Sequence, residues 1–200
     1  MTPGLKTALL AATCAAAGAT TGSPALAAID VGGAALDESA QVAGRSLKLN
    51  GAGVGKRLLF KVYAMGLYLT ERQSFAQEVL DTEGPRRLLI VTLRDIAGGD
   101  FAAAVMRDLA DARDPPTPRV SAQMLGLVHA IASQPRGLRK GDVLTLDWIP
   151  DRGAVIQLNS QPLAPPIPDV AFYKALLAIW LGERPTDPTL KAKLLGAASP

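Results

Sequence analysis

The sequence predicts an α+β protein in which a layer of helices covers one face of a largely antiparallel sheet. Strand patterns come first along the chain, helix patterns follow, and a strand pair interrupts the helices. Hydrophobic residues make up 48% of the chain and charged residues 20%, as in an ordinary packed domain. A single cysteine and glycines without a triplet period exclude a disulfide scaffold and a collagen-like chain.

The first 27 residues have the features of a secretory signal peptide. Lys6 is the only charged residue before Asp30, and a small apolar stretch occupies residues 8–17. Ala25-Leu26-Ala27 then offers the small residues that signal peptidase accepts. The apolar stretch is shorter than the ~20 residues that a bilayer span needs. We therefore expect cleavage near Ala27 and a periplasmic or secreted mature protein.

Cleavage would also change the chemistry open to the chain. Cys14 leaves with the leader, which excludes disulfides, thiol catalysis and thiolate metal sites from the mature protein. Lys6 leaves too, so the formal net charge falls from +3 to +2, too little to indicate nucleic-acid binding. No stable membrane span is expected after cleavage. A lipoprotein anchored at Cys14 and an uncleaved start remain alternatives.

Strand patterns dominate the first part of the mature chain. Residues 28–44 are small and acidic and predict a lead-in or edge segment. Leucines alternate with polar residues over 45–50, which indicates a half-buried strand. The glycine-rich residues 51–55 predict a turn into a long strand over 58–69. Inside that strand, Gly66 indicates a bulge or a close approach by another group.

Further elements follow from periodicity. Residues 86–94 are apolar on both faces, as in a central strand. Val143 to Ile149 and Ala154 to Asn159 predict a strand pair joined by a tight turn. Residues 170–181 form a helix that is apolar almost all round and should be deeply buried. The remaining helical patterns are a short helix over 74–80, amphipathic helices after Asp100 and over 120–131, and a terminal helix over 188–195.

No catalytic or cofactor motif stands out. His129 is the only histidine, and it has neither a nucleophile elbow nor an obvious partner, which favours a structural or exposed role. The chain lacks the ligands for a metal site, and we expect none. The glycines of residues 51–55 lack the spacing and the following helix of a dinucleotide fingerprint, so no cofactor is expected.

Basic residues at strand ends are the stronger candidates. Lys56 and Arg57 enter the long strand, and Arg94 ends the central one. A guanidinium at such a position can hold one carboxylate or oxyanion in its fixed fork. A solvated strand end, or a salt bridge from Arg94 to Asp95 or Asp100, is the alternative. Tyr63 could add a ligand contact through its hydroxyl, although packing is the commoner role of a tyrosine.

Several segments together resemble the chalcone isomerase-like family, over about residues 45–196. They are GAGV at 51–54 with KVYAMGLYL at 61–69, GDVLTLDW at 141–148, FYKALLAIWLGERP at 172–185, and the leucine-rich end at 190–196. The C-terminal segment resembles the bacterial, exported branch of the family. The resemblance implies an open-faced β-sandwich domain over residues 45–200, with a ligand cleft between its large antiparallel sheet and its helices.

The resemblance also implies what the cleft does. Plant members cyclise chalcones to flavanones, and related members bind fatty acids without chemistry; in both, an arginine directly after GAGV faces the ligand. Here that position is Gly55. Arg57 lies two steps on and regains the same face, whereas Lys56 points to the opposite one. Tyr63 stands where the enzymes carry a threonine, and it would reshape or fill the pocket.

We therefore expect a non-catalytic binder of a small apolar ligand with an acidic head, a fatty acid or a phenolic compound. Arg57, Lys56, Tyr63 and Arg94 are its expected ligand-binding residues. One alternative is an intramolecular lyase of the chalcone isomerase type, with Arg57 and Tyr63 stabilising an enolate. The other is a structural or interaction protein with a filled cleft.

Overall fold

A computed structural model describes residues 27–57, 59–110 and 116–196. Nearly all of the expected leader, residues 1–26, lies outside this range, so its cleavage stays a prediction. Within the described part the elements follow the expected order: strands, helices, a strand pair and further helices. No helix in that part combines the length and the apolar character that crossing a membrane requires.

Nine strands form two antiparallel sheets in the described part. The larger sheet has seven strands in sequence order, β3 to β9, and β6 lies at its centre, as its doubly apolar sequence predicts. The strands are β1 Ala28–Val31, β2 Ala34–Asp37, β3 Ser39–Val42, β4 Arg45–Arg57, β5 Phe60–Leu69, β6 Arg86–Thr92, β7 Val143–Ile149, β8 Gly153–Leu158 and β9 Gln161–Pro162.

Helices cover one face of the larger sheet. They are α1 Ala76–Asp81, α2 Gly98–Ala110, α3 Pro118–Ala132, α4 Val170–Leu181 and α5 Pro188–Leu194. Apolar side chains of β5, β6 and β7 form one core with α3, α4 and α5. Phe172, Tyr173 and Leu177 of α4 are fully buried there, which confirms the prediction for this helix. The α+β fold predicted from the sequence is therefore confirmed.

The two-stranded sheet lies against the other face of the larger sheet. Buried Val31, Ala34 and Leu36 pack with Ala64 of β5 in a second, smaller core. In β2 buried and exposed residues alternate, so one side of this hairpin faces the protein and the other faces solvent. The segment predicted as a lead-in thus carries β1, β2 and the edge strand β3.

The glycines of residues 51–55 lie within β4, so the prediction of a turn there is wrong. The chain reverses only after Arg57. The glycines are required by close packing: a β-carbon on Gly51 would lie 2.1 Å from the Lys193 carbonyl oxygen. Gly66 does mark a close approach, because a β-carbon there would lie 2.8 Å from Cδ2 of Leu36.

Candidate functional site

The turn end of the β4–β5 hairpin brings the candidate residues together. Gly55 pairs with Tyr63, and Arg57 pairs with Phe60. Residues directly opposite each other in an antiparallel pair project to the same face. The two pairs lie two steps apart on β4 but three steps apart on β5, because the register shifts by one residue between Gly55 and Lys56. Arg57 and Phe60 therefore share the helix-covered side of the sheet with Tyr63, which packs against the main core.

Lys56 lies on the opposite side. It pairs with Lys61 between the two pairs just described, so both lysines project from the face that the helices do not cover. Both are exposed. The sequence expectation that Arg57 and Lys56 point to opposite faces agrees with this register.

Arg94 reaches the same end of the sheet from β6. Its guanidinium carbon lies 5.3 Å from the centre of the Phe60 ring, a cation–π distance. It does not pair with Asp95, because that carboxylate accepts from the Lys140 amide at 2.9 Å and from Arg139 at 2.8 Å. These two contacts lower the pKa of Asp95. Arg57 and Arg94 thus flank Phe60 and stay exposed; we call Arg57, Phe60 and Arg94 the cationic mouth.

Behind the cationic mouth stands an aromatic pair. Trp180 of α4 donates from Nε1 to the hydroxyl oxygen of Tyr63 at 2.9 Å. The Tyr63 ring occupies the space beside Gly55, since a β-carbon there would lie 2.2 Å from Cζ of the ring. The tyrosine therefore fills the place where the family resemblance puts an arginine side chain.

Beyond Trp180 lies an apolar cavity between the helices and the sheet. Its volume is about 10 Å³, the room of a single water-sized probe. Ten side chains line it, all of them apolar or aromatic: Phe101, Val105, Leu127, Val128, Ile131, Leu144, Leu146, Leu176, Ile179 and Trp180. A cavity of this size cannot hold a fatty acid unless the surrounding side chains move.

A larger cleft of about 470 Å³ lies elsewhere, between β4 and the end of α5. Lys48, Arg72 and Lys193 line it together with Glu38 and Asn50. The buried Asn50 is fully engaged, because its amide donates to the Leu194 and Gln73 carbonyls at 2.7 and 2.9 Å. This cleft contains none of the four site residues predicted from the sequence, although Gly51 and Ala52 of the GAGV segment line it.

Sequence reasoning also missed a buried arginine. Arg86 is fully buried, and none of its guanidinium nitrogens has a hydrogen-bond partner among the described residues. The guanidinium carbon lies 5.2 Å from the ring of Tyr173 and 5.9 Å from that of Trp148. Burial lowers its pKa. An arginine at the start of an apolar strand does not by itself predict burial beside aromatic rings.

The other candidate residues in the described part of the chain are not arranged for catalysis or metal binding. His129 is exposed near the end of α3. The described residues contain no cluster of three or more histidine, cysteine or carboxylate side chains that could hold a metal. Burial raises the pKa of Tyr173, whose hydroxyl donates to the Leu146 carbonyl at 2.9 Å, so this tyrosine is a packing residue.

Comparisons with known proteins give a family and a fold. The family model described as chalcone isomerase-like matches residues 28–196, which include β1 to β3. Among curated proteins, none matches the chain significantly. A solved structure of a fatty-acid binding protein from Arabidopsis thaliana is similar with a TM-score of 0.61, and 13% of the residues are identical. The similarity covers 82% of this chain and 92% of that one. At this identity it shows the fold.

Proposed function

We propose that this chain, which belongs to the chalcone isomerase-like family, is a non-catalytic binder of a small apolar ligand with an acidic head, a fatty acid or a phenolic compound. Trp180 carries the proposal. It lines the apolar cavity and donates to Tyr63 at the cationic mouth. One aromatic pair thus separates positive charge from an apolar interior, the combination that orients an amphipathic ligand.

The acidic head binds at the cationic mouth. Arg57 makes no side-chain hydrogen bond or ion pair with any other described residue, so its guanidinium is available to a carboxylate or phenolate. Arg94 supplies a second guanidinium across Phe60. Arg57 lies two residues, about 7 Å, along β4 from Gly55, which faces the Tyr63 ring. Lys56 adds positive potential from the other face.

The apolar tail enters the seam between α2, α3 and the sheet. Because the cavity of about 10 Å³ is too small for a tail, binding requires a helix to move outward. We take α2 as the helix that moves, because Phe101 is only half-buried and Met106 is exposed in the part of α2 whose side chains are described. A helix with few buried apolar contacts opens at a low free-energy cost.

The test is binding of saturated fatty acids of increasing length to delipidated protein, followed by calorimetry and native mass spectrometry. We expect one site, and a roughly tenfold weaker affinity in Arg57→Gln because a charge-assisted hydrogen bond is lost. The matched control is Arg152→Gln, in the exposed β7–β8 turn, which should not change the affinity. A fatty alcohol should bind the wild type as weakly as the acid binds Arg57→Gln.

Absence of binding by every acyl chain and phenolic compound would contradict the proposal, as would equal losses in Arg57→Gln and Arg152→Gln. Absence of binding would favour the second candidate, a structural or interaction protein with a filled cleft, whereas equal losses would rule out Arg57 as the residue that binds the acidic head. The small interior volume and the Tyr63 ring beside Gly55 are the observations that favour that candidate.

The lyase alternative has less support. Gly55 supplies no guanidinium, and the Tyr63 hydroxyl already accepts a hydrogen bond from Trp180. We expect chalcone cyclisation, followed by loss of absorbance, to run no faster with the protein than in buffer. A clear acceleration that Arg57→Gln abolishes would instead support the lyase function.

We also infer that the protein is an exported member of the family and acts outside the cytoplasm. The leader features of residues 1–27 support this inference. N-terminal sequencing of protein from the native host should give a chain that starts near Ala28. A chain that retains Lys6 would contradict export by cleavage.

A further inference from the structure

The tip of the β4–β5 hairpin exposes two adjacent large apolar side chains. Leu59 is 95% exposed and Phe60 is 61% exposed. Scattered single apolar residues on a surface are normal, but adjacent ones at a protruding turn are a typical interaction feature. Leu59 is also the most exposed large hydrophobic residue in the described part of the chain.

Cations surround these apolar side chains on both sides of the sheet. Lys56 and Lys61 project from one face, and Arg57 and Arg94 lie on the other. All four are exposed. Residues 54–70 contain no aspartate or glutamate, and Asp95 beside Arg94 is already engaged by Arg139. We call the four cations with Leu59 and Phe60 the basic tip.

The arrangement of the basic tip favours a lipid surface over a protein or peptide partner. A partner that contacts one face of the hairpin would meet only two of the four cations, because the charge lies on both faces around an exposed apolar end. A flat anionic lipid surface meets both faces at once. Apolar side chains then enter the boundary between headgroups and acyl chains while the cations contact the headgroups.

We propose that the basic tip docks the protein on an anionic lipid surface, with Leu59 and Phe60 entering it. This inference rests on the exposure and charge of the hairpin and not on the interior cavity. Because the cationic mouth shares Arg57, Phe60 and Arg94 with the basic tip, docking brings the entrance of the cleft against the lipid.

The test is co-sedimentation of the full chain with phosphatidylcholine vesicles, with or without phosphatidylglycerol. Binding should require phosphatidylglycerol and weaken as salt rises. Leu59→Ser should weaken binding to the vesicles about tenfold, because the apolar side chain that enters the lipid is lost. Lys61→Gln should weaken it about fivefold, the effect of one basic residue at an anionic surface. The matched controls are Leu125→Ser, at an exposed position of α3, and Lys140→Gln, and both should bind as the wild type does.

Three results would overturn the proposal. They are no binding to phosphatidylglycerol vesicles, equal losses in the controls, and binding that Leu59→Ser leaves unchanged while heparin competes fully. The last would show a contact with any polyanion, including an acidic protein, without insertion. Fatty-acid binding is measured without vesicles, and Leu59 and Lys61 lie outside the proposed ligand set. Failure of docking and failure of ligand binding are therefore distinguishable.

Discussion

Arg86 and Arg87 are adjacent in the sequence and have opposite environments. Alternation along β6 places Arg86 under the helices, where aromatic rings surround a guanidinium without hydrogen bonds. Arg87 lies on the other face and forms two hydrogen bonds to the buried carboxylate of Asp147, at 2.6 and 2.7 Å. Those bonds raise the pKa of Arg87, whereas burial lowers the pKa of Arg86.

Methionine substitutions at these two positions should therefore have opposite effects. Arg86→Met should raise the free energy of unfolding by about 1–3 kcal/mol, because a buried guanidinium that has cation–π contacts but no hydrogen bonds is replaced by an apolar side chain of similar length. Arg87→Met should lower it by about 3 kcal/mol, because Asp147 keeps a buried charge without its partner. Urea denaturation of both variants measures this. Destabilisation by Arg86→Met would show that the cation–π contacts with Tyr173 and Trp148 outweigh the missing hydrogen bonds.

The contact between Gly55 and Tyr63 gives a second prediction. Gly55→Arg should lower the free energy of unfolding by about 1–3 kcal/mol, because the new side chain overlaps the tyrosine ring. Adding Tyr63→Thr should recover most of that loss, since the smaller side chain vacates the space. Denaturant unfolding of both single variants and the double variant forms a double-mutant cycle. Simple additivity of the two single losses would contradict the proposed overlap.

At the scale of elements, β4 packs closely against α5. The backbone of Gly51 lies directly against the last turn of α5, and Asn50 donates to the Leu194 carbonyl at 2.7 Å. α5 has only seven residues, too few to be stable by itself. Its position therefore depends on the close approach that Gly51 permits and on the hydrogen bond from the Asn50 side chain.

Gly51→Ala should destabilise the protein by at least about 2 kcal/mol and reduce hydrogen-exchange protection in α5, because the new methyl group meets backbone atoms that cannot turn aside. Gly126→Ala is the matched control. Gly126 lies on the exposed side of α3 with no atom within 4 Å of an added β-carbon, so alanine should stabilise the helix by about 1 kcal/mol. A neutral Gly51→Ala would contradict the packing role of this glycine.

At the scale of the whole molecule, burial patterns predicted the fold well. The doubly apolar sequence of β6 placed it at the sheet centre, and the apolar surface of α4 placed it in the core. The glycines of β4 were misread because a turn and a close approach both favour a residue without a β-carbon. The hydrogen bond from Trp180 to Tyr63 joins residues 117 positions apart, and no local pattern encodes such a contact.

The candidate site was predictable only in part. Strand alternation was enough to place Arg57 on the face of Gly55 and Lys56 on the other. Arg94 joined Arg57 because antiparallel pairing brings the end of β6 beside the start of β5, a relation that depends on topology. The closed interior was expected only as an alternative, from the size of Tyr63, since cavity volume depends on how side chains from separate helices meet.

The double role of Trp180 has a practical consequence. The chain has two tryptophans, and the other, Trp148, lies against Tyr173 with the ring centres 5.7 Å apart. A Trp148→Phe protein would keep one indole fluorophore, located where the tyrosine partner and the apolar lining meet. Its emission would respond to any molecule that separates the pair or fills the space behind it, so the protein carries its own optical reporter of occupancy.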